Sequence, residues 1–544
     1  MNRFKKAIGI LVILTFAYLG GRYISLRWSP PEQTPTVSSN PIEEPSSISQ
    51  EYDTEFLEQT ELPLLEDVLT DVDLALADEL LLSFNDQNAY DQFIADAERA
   101  GITIIARSST LKALRVRSNN EDETRRIRQL AAEQTDIGFN YLVVVPTIPQ
   151  PSLIGFANQP FENHALDWLG VPQDNDEWGK GVTIAILDTG IDDHLTLNDV
   201  NIKRISLVDS TENQESKYNG HGTAIASLIA GGNHEGIAPK ANLVSIQVMN
   251  STGTGDSFTL ASGIVEAVDQ GASIISMSLG SYGYSPTLER AIAYAQENNV
   301  ILVASAGNDG MGEITYPARF DGVIAVAAID TESQRAEFSN FSEAVDIAAP
   351  GVGIYAAWGE ENWTSFSGTS AATPFVAGGI AATLSLDPRL SPQEATNIVL
   401  AYADDASVPG IDVNIGNGTL NMDRVLNRDQ SGIADAALAD FYLNFDQATE
   451  TTIPLMVTIQ NRGTELLRSV SINLTQNEGQ SQQIYLGQLT EDETTSHTIY
   501  LDRSQLTSET GYTIQAQTRL SGQTDSREGN DAKSGLLKIL PEKE

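Results

Sequence analysis

Hydrophobic residues follow three different patterns along the chain, and each pattern predicts different structural elements. Residues 155–428 contain continuous apolar runs, such as 182–187, together with segments of helical spacing, which indicates buried parallel strands covered by helices. Residues 436–544 contain short alternating runs separated by turn signals, which predicts an antiparallel β-sandwich. Residues 79–148 follow the β-α-β-β-α-β order of a ferredoxin-like α+β domain. We therefore expect an α/β domain flanked by two smaller domains.

The amino terminus carries three basic residues ahead of the apolar run 7–19. This pattern is typical of a secretory signal, so residues 1–28 are predicted to be a signal peptide or an uncleaved signal anchor that contacts the membrane. In both cases the rest of the chain is translocated, and the expected location is secreted or in the cell envelope. Residues 29–78 are acidic, with proline and serine concentrated in their first half, which predicts a linker.

Composition narrows the possible partners and chemistries. The 544 residues carry a formal net charge of −42, which argues against a nucleic-acid backbone as a partner. Cysteine is absent, so disulfides, thiolate metal sites and a cysteine nucleophile are excluded. We expect a monomer.

Four polar residues stand at the ends of predicted elements. Asp188 follows the apolar run 182–187, and Asn308 ends the strand-like run that begins at residue 303. His221 and Ser370 each open a segment of helical spacing. Open α/β sheets place their sites at the carboxyl edge of the strands, where these residues are expected to meet. A serine hydroxyl at a helix start becomes a nucleophile once a base removes its proton.

The four residues stand in the order Asp, His, Asn, Ser and belong to five short blocks, at 188–190, 221–223, 276–280, 306–308 and 368–370. One such block alone would be a weak signal, but several in this order are specific. By these blocks, residues 155–428 resemble the subtilisin-like serine proteases, or subtilases. The resemblance implies a subtilisin-like parallel β-sheet flanked by helices and a serine endopeptidase that acts on polypeptides. The alternative is a cell-surface binding or adhesion protein built on an inactive subtilase scaffold.

The resemblance also implies a role for each of the four polar residues. Asp188 would orient His221, which would act as base toward Ser370 and then as acid toward the leaving amine. Asn308 and the backbone N–H of Ser370 would hold the oxyanion of the tetrahedral intermediate. The reaction needs no cofactor, and no catalytic metal is expected.

The implied substrate-binding residues form two edges and a pocket wall. An extended peptide would add as a strand between the edges, where glycines allow close approach. The residues are Gly253, Thr254 and Gly255 on one edge, Ser278, Leu279 and Gly280 on the other, and Ala306 and Gly307 in the wall.

The chain departs from subtilisin in two loops that affect these expectations. The small residues of the wall suggest room for an apolar side chain, yet the shortened segment 309–316 brings Asp309, Glu313 and Thr315 near the pocket floor. This shortening would narrow the pocket and favour a polar or basic side chain. Residues 230–237 are shorter than the calcium-binding loop of subtilisin, so the usual high-affinity calcium site is expected to be missing, although structural calcium elsewhere stays open.

The two flanking domains have expected roles as well. Residues 79–148 look like the amino-terminal propeptide of subtilases, which implies a chaperone and inhibitor whose tail runs through the cleft and is cut between Pro146 and Asn163. The competing interpretation is a small permanent ligand-binding domain. Residues 436–544 weakly resemble adhesion-type immunoglobulin-like modules, with a binding role and a spacer or stability role both open.

Overall fold

The computed structural model describes residues 18–19, 22–29, 74–131, 135–146, 159–208, 220–406, 408–444, 447–477, 479, 481–505 and 512–540. The predicted signal segment lies mostly outside these residues, as does most of the predicted linker. The described part of the amino terminus forms strands β1 (Tyr18–Leu19) and β2 (Arg22–Ser29). The interpretation of residues 1–28 as a signal therefore stays a prediction.

The first folded body has the predicted β-α-β-β-α-β order. Its antiparallel sheet has the strand order β6-β3-β5-β4. Helix α1 is capped at its start by Asp86, whose side chain accepts a hydrogen bond from the Ala89 N–H, and at its end by Gly101, with φ 70°. The elements are β3 (Ala75–Phe84), α1 (Gln87–Ala100), β4 (Ile104–Ser108), β5 (Ala113–Arg117), α2 (Glu121–Leu130) and β6 (Thr135–Val144).

The second body is a seven-stranded parallel sheet with the order β14-β13-β12-β11-β7-β9-β8. Helices pack against this sheet, as predicted, because its strands are apolar on both faces. The seven strands of the sheet are β7 (Thr183–Asp188), β8 (Ile202–Ser206), β9 (Asn242–Gln247), β11 (Ile274–Met277), β12 (Ile301–Ser305), β13 (Val323–Ile329) and β14 (Ile347–Pro350). Outside it lie β10 (Thr254–Asp256), which pairs with β6, and the hairpin of β15 (Ile354–Trp358) and β16 (Asn362–Phe366).

The helices of the second body are α3 (Ala165–Trp168), α4 (His221–Ala230), α5 (Ser257–Asp269), α6 (Pro286–Glu297), α7 (Thr369–Leu386), α8 (Pro392–Ala401) and α9 (Met422–Asn427). Two of these helices, α4 and α7, carry the catalytic candidates His221 and Ser370 in their first turns. Among the described residues, α7 alone is long and apolar enough to span a membrane, and 89% of it is buried. We therefore describe α7 as a core helix of this body.

The third body consists of two antiparallel sheets around one apolar core, as the alternating pattern predicts. The sheets have the orders β17-β18-β21 and β1-β2-β23-β22-β19-β20. Strand β2 therefore extends the carboxyl-terminal sheet by pairing with β23. The strands are β17 (Ala436–Leu443), β18 (Thr452–Asn461), β19 (Leu467–Gln476), β20 (Gln482–Leu489), β21 (Thr494–Asp502), β22 (Tyr512–Leu520) and β23 (Ala532–Leu540).

Buried charges join the third body to the second. The guanidinium of Arg424 in α9 is 1% exposed and lies 3.5 Å from Asp404. The same side chain pairs with Asp492, which belongs to the third body. Arg462 of the third body lies 3.0 Å from Asp404. Because buried charges are costly unless paired, these contacts hold the two bodies in a defined arrangement.

A buried carboxyl in the third body makes stability depend on pH. Asp531 is 8% exposed. Its Oδ1 has no hydrogen-bond partner among the described residues. Burial, and then the neighbouring carboxylates of Asp525, Asp435 and Glu528, raise the pKa of Asp531 to about 7.

Replacing Asp531 with asparagine is expected to raise the melting temperature by a few degrees at pH 8.5 and by much less at pH 4.5. An aspartate in an unfolded chain ionises near pH 4, so a raised pKa in the folded state removes stability as pH rises from about 4 through 7. Thermal unfolding at both pH values measures the effect. Asp502→Asn is the control, because hydrogen bonds from Ser504 lower the pKa of Asp502. An equal rise in melting temperature at pH 4.5 and pH 8.5 would contradict the raised pKa of Asp531 as the cause.

Candidate active site

Asp188 and His221 form a buried pair at the carboxyl edge of the parallel sheet. Asp188 is the last residue of β7, and His221 is the first residue of α4. The His221 Nδ1 lies 2.9 Å from Oδ1 and 3.0 Å from Oδ2 of Asp188, and both residues are 1% exposed. The backbone N–H of Thr189 donates to Asp188 Oδ1 over 2.7 Å. The carboxylate is therefore held in place and can orient the imidazole, leaving its Nε2 on the opposite side of the ring.

Ser370 lies in the first turn of α7, which packs against α4. Its hydroxyl donates to the Ser278 carbonyl oxygen over 3.3 Å, and the Ser278 hydroxyl donates to the Ser370 carbonyl oxygen over 3.0 Å. Within the described part of the chain, the Ser370 hydroxyl is thus bonded to Ser278 and not to His221. Sequence analysis missed this reciprocal contact, because side-chain rotamers leave no signal in a sequence motif.

Asn308 follows β12 and lies beside the start of α7. Its Oδ1 accepts hydrogen bonds from the Thr369 N–H over 2.9 Å and from the Thr369 hydroxyl over 2.8 Å. A Cβ added to Gly368 would lie 2.9 Å from Asn308 Nδ2, so glycine is required there. The oxygen of the amide is fixed by Thr369, which directs the Nδ2 donor toward the start of the helix. Sequence analysis did not assign this positioning contact to Thr369.

The two predicted substrate-binding edges contact a segment of the same chain. Strand β6 pairs antiparallel with β10, with Val144 opposite Thr254. On its other side, Val144 and Gly280 exchange two backbone hydrogen bonds of 2.9 Å. The Val145 N–H donates to the Gly253 carbonyl oxygen over 2.9 Å. The end of the first body thus lies as an added strand between residues 253–255 and 278–280.

The register of this strand determines which residue faces the nucleophile. Val144 opposite Gly280 places Pro146, two residues further on, opposite Ser278. In an antiparallel ladder such alternate pairs exchange hydrogen bonds, but proline has no N–H to donate. The Ser278 carbonyl oxygen instead accepts the hydroxyl of Ser370. Most of the range in which a cut is predicted, residues 147–158, lies outside the described residues.

Comparison with known proteins connects this geometry to a family. The model of the subtilase family matches residues 179–418. A thermostable alkaline protease from Halalkalibacterium halodurans is 38% identical over 251 residues, which are 45% of this chain and 68% of that protein. An alkaline protease from Alkalihalobacillus alcalophilus is 32% identical over 339 residues, which are 59% of this chain and 84% of that protein. The chain belongs to the subtilase family.

This subtilase is a serine endopeptidase, because both of these relatives are proteases and the family model covers the predicted catalytic blocks. The alternative of an adhesion protein finds no support in the comparisons. Among solved structures, a mutant of the protease domain of PatA aligns with a TM-score of 0.44 and 29% identity, covering 47% of this chain and 97% of that domain.

The two residues predicted to form the pocket wall, Ala306 and Gly307, are buried after the end of β12, and Thr315 lies beside them with 5% exposure. Asp309 accepts a hydrogen bond from the Tyr282 hydroxyl over 2.6 Å, and Glu313 forms an ion pair with Arg319. The described residues contain no group of three or more His, Asp or Glu placed to hold a metal ion.

Proposed function

We propose that this subtilase hydrolyses peptide bonds with Ser370 as nucleophile, His221 as general base and acid, and Asp188 as the group that orients the imidazole. The observation that carries the proposal is the buried Asp188–His221 pair, in which both carboxylate oxygens lie within 3.0 Å of Nδ1. This contact leaves Nε2 as the acceptor, which is the tautomer that a general base requires.

The reaction begins when the Ser370 hydroxyl leaves the Ser278 carbonyl oxygen and turns to His221. As Oγ bonds to the scissile carbonyl carbon, its proton passes to Nε2, and the carbonyl oxygen takes the negative charge. The carbon–nitrogen bond then breaks as the imidazolium gives its proton to the leaving amine. Water attacks the resulting ester with the same base, which releases the acid product and restores the serine.

Asn308 Nδ2 and the Ser370 N–H would stabilise the negative oxygen of each tetrahedral intermediate. The Ser370 N–H lies in the first turn of α7, where unpaired N–H groups and the helix dipole favour negative charge. The hydrogen bonds from Thr369 fix the amide before the substrate arrives, so no reorganisation accompanies charge development.

Replacing Asn308 with alanine is expected to lower kcat by about 10²–10³ with little change in KM, a magnitude taken from the equivalent asparagine of subtilisin. Hydrolysis of a peptide anilide by the processed enzyme measures both constants. Asn397→Ala is the matched control, because Asn397 is exposed on α8, away from the cleft. A change in KM alone would contradict the oxyanion role.

We propose that residues 79–148 are a propeptide that inhibits the enzyme until the chain cuts itself between Pro146 and Asn163. The added strand at 142–145 supports this proposal, because it occupies both edges that a substrate would use. Side chains reinforce the docking: Arg115 of the first body lies 3.1 Å from Asp256, and Arg290 of α6 donates to the Phe84 carbonyl oxygen over 2.6 Å.

Replacing Pro146 with alanine is expected to accelerate self-cleavage of the precursor by up to about tenfold. The new backbone N–H at position 146 would donate to the Ser278 carbonyl oxygen, so the Ser370 hydroxyl would no longer be held by that oxygen. A net hydrogen bond contributes about 1 kcal/mol, which corresponds to somewhat less than a tenfold change in rate. A time course of precursor and product on denaturing gels measures the rate. The double variant Pro146→Ala with Ser370→Ala controls for cleavage by other proteases. An unchanged or slower rate would contradict this role for the proline.

We further propose a monomer that acts outside the cytoplasm on polypeptide substrates, without nucleic-acid partners and without a cofactor for the chemistry. The predicted signal segment supports export. Whether residues 1–28 are cleaved or stay as an anchor is decided by sequencing the amino terminus of the processed protein from the medium and from membranes. Structural calcium is tested by thermal unfolding with and without a chelator.

A further inference from the structure

We infer that Thr315 closes the pocket for the side chain before the cut bond, so that the enzyme selects glycine, alanine, serine or proline there. This inference rests on the proposed function and specifies its substrates. It differs from the expectation of a polar or basic side chain before the cut bond, because it proposes that the size of that side chain decides which substrates are cleaved.

The pocket lies between two stretches of backbone. One is the edge 278–280, and the other is the wall formed by Ala306 and Gly307. A Cβ added to Gly280 would lie 2.8 Å from the Cβ of Thr315, and a Cβ added to Gly307 would lie 3.2 Å from its Cγ2. The threonine side chain therefore contacts both walls at once and fills the space between them.

Backbone hydrogen bonds prevent Thr315 from moving aside. Its N–H donates to the Ala306 carbonyl oxygen over 3.0 Å. The next residue, Tyr316, exchanges two hydrogen bonds with Ser281, of 2.8 and 2.9 Å. The segment 315–316 is thus bonded to both walls, and its displacement would break three backbone hydrogen bonds in a buried site.

The added strand shows which substrate position faces Thr315. Side chains two residues apart in an extended chain lie on the same face, so position 146 shares the face of Val144. Val144 is paired with Gly280, whose missing side chain would point at Thr315. The residue opposite Ser278 therefore directs its side chain toward Thr315, and the chain's own residue there is proline, which has a short ring.

The carboxylates near the pocket already have partners. Asp309 accepts the Tyr282 hydroxyl, which is also held by Asn340 over 2.8 Å. Glu313 is paired with Arg319 and is half exposed. Arg319 neutralises Glu313, and the Asp309 carboxylate is bonded to the neutral Tyr282 hydroxyl, so we expect the space left by Thr315 to set the preference.

The test uses processed enzyme obtained from the full chain and peptide anilides that differ only in the residue before the cut bond. For the unchanged enzyme we expect kcat/KM to be at least about 100-fold higher for alanine than for phenylalanine, since one excess methylene in a rigid pocket already costs tenfold or more. Thr315→Gly is expected to reduce this ratio at least tenfold, mainly through faster cleavage after leucine and phenylalanine.

Two further variants separate size from hydrogen bonding. Thr315→Val keeps the shape and removes the hydroxyl, whose hydrogen bonds to the carbonyl oxygens of Ser305 and Ala306 are long, at 3.4 and 3.5 Å. We expect it to keep the preference for alanine. Thr315→Ser removes only the methyl group and is expected to give an intermediate ratio, which tests the inference even if the glycine variant fails to fold.

Three results would overturn the inference: an unchanged enzyme that prefers phenylalanine or leucine, one that prefers arginine or lysine, or a Thr315→Gly variant with an unaltered ratio. Failure of the proposed function gives a different pattern. In that case the unchanged enzyme cleaves none of the anilides and a fluorophosphonate probe does not label Ser370, which rejects both the proposed mechanism and the specificity built on it.

Discussion

Replacing Ser370 with alanine is expected to lower kcat for peptide hydrolysis by about 10⁶ and to leave the full-length precursor uncut; the magnitude is that of subtilisin, a relative of this chain. The variant keeps the helix start and the Asp188–His221 pair but has no atom that can bond to the scissile carbon. Steady-state rates with a peptide anilide and the size of the purified chain provide the two measurements.

Ser365→Ala is the matched control for this variant, because Ser365 is exposed on β16 and lies five residues before the nucleophile. It should process and hydrolyse at the unchanged rate. Circular dichroism of both variants checks the fold. Normal processing of the Ser370→Ala precursor in a host without other extracytoplasmic proteases would show that another group, or another enzyme, cuts the chain.

Replacing Asp188 with asparagine is expected to lower kcat by about 10⁴, the loss known for the same change in another serine protease. The carboxylate accepts the Nδ1 proton of His221 through contacts of 2.9 and 3.0 Å. An amide offers a donor on one side, which favours the tautomer with the proton on Nε2, and it cannot stabilise the imidazolium. The rate profile between pH 6 and 10 and the value of kcat measure the loss.

Asp193→Asn serves as the control for Asp188→Asn, since the Asp193 side chain is 93% exposed and forms a surface ion pair with Arg204. Its rate should be unchanged. We expect little change in KM for the anilide in both variants, because neither aspartate lies on the edges predicted to bind substrate. If Asp188→Asn raised KM and left kcat unchanged, the result would contradict an orienting role for Asp188.

Much of the site follows from the sequence because its parts stand at the ends of strong patterns. Asp188 ends a buried apolar strand, and His221 opens an apolar helix, so topology alone brings both to one edge of the sheet. The bond between Ser370 and Ser278 did not follow, because it depends on a rotamer. The pairing of β2 with β23 joins residues about five hundred positions apart, and no local pattern encodes such a contact.

The two carboxylates near the pocket have partners that are distant in the sequence. Asp309 and Glu313 suggested a basic preference, yet their partners Tyr282 and Arg319 were not recognisable without coordinates. Thr315 was expected near the pocket floor, and its close approach to both Gly280 and Gly307 depends on the conformation of a shortened loop, which the sequence does not give. The expected passage of the propeptide tail through the cleft came from the family resemblance, whereas the placement of strand 142–145 between the two edges and its register came from the structure.

The Asp404 carboxylate contacts both bodies and therefore couples the unfolding of the protease body to that of the β-sandwich. Arg424 of the protease body and Arg462 of the β-sandwich both lie near Asp404. Separating the two bodies would therefore leave the buried Asp404 carboxylate without one of its two counter-ions. Heating should therefore melt both bodies in one calorimetric transition. A shortened chain that ends after residue 428 lacks the β-sandwich and should unfold at a lower temperature, even though every catalytic group would still be present.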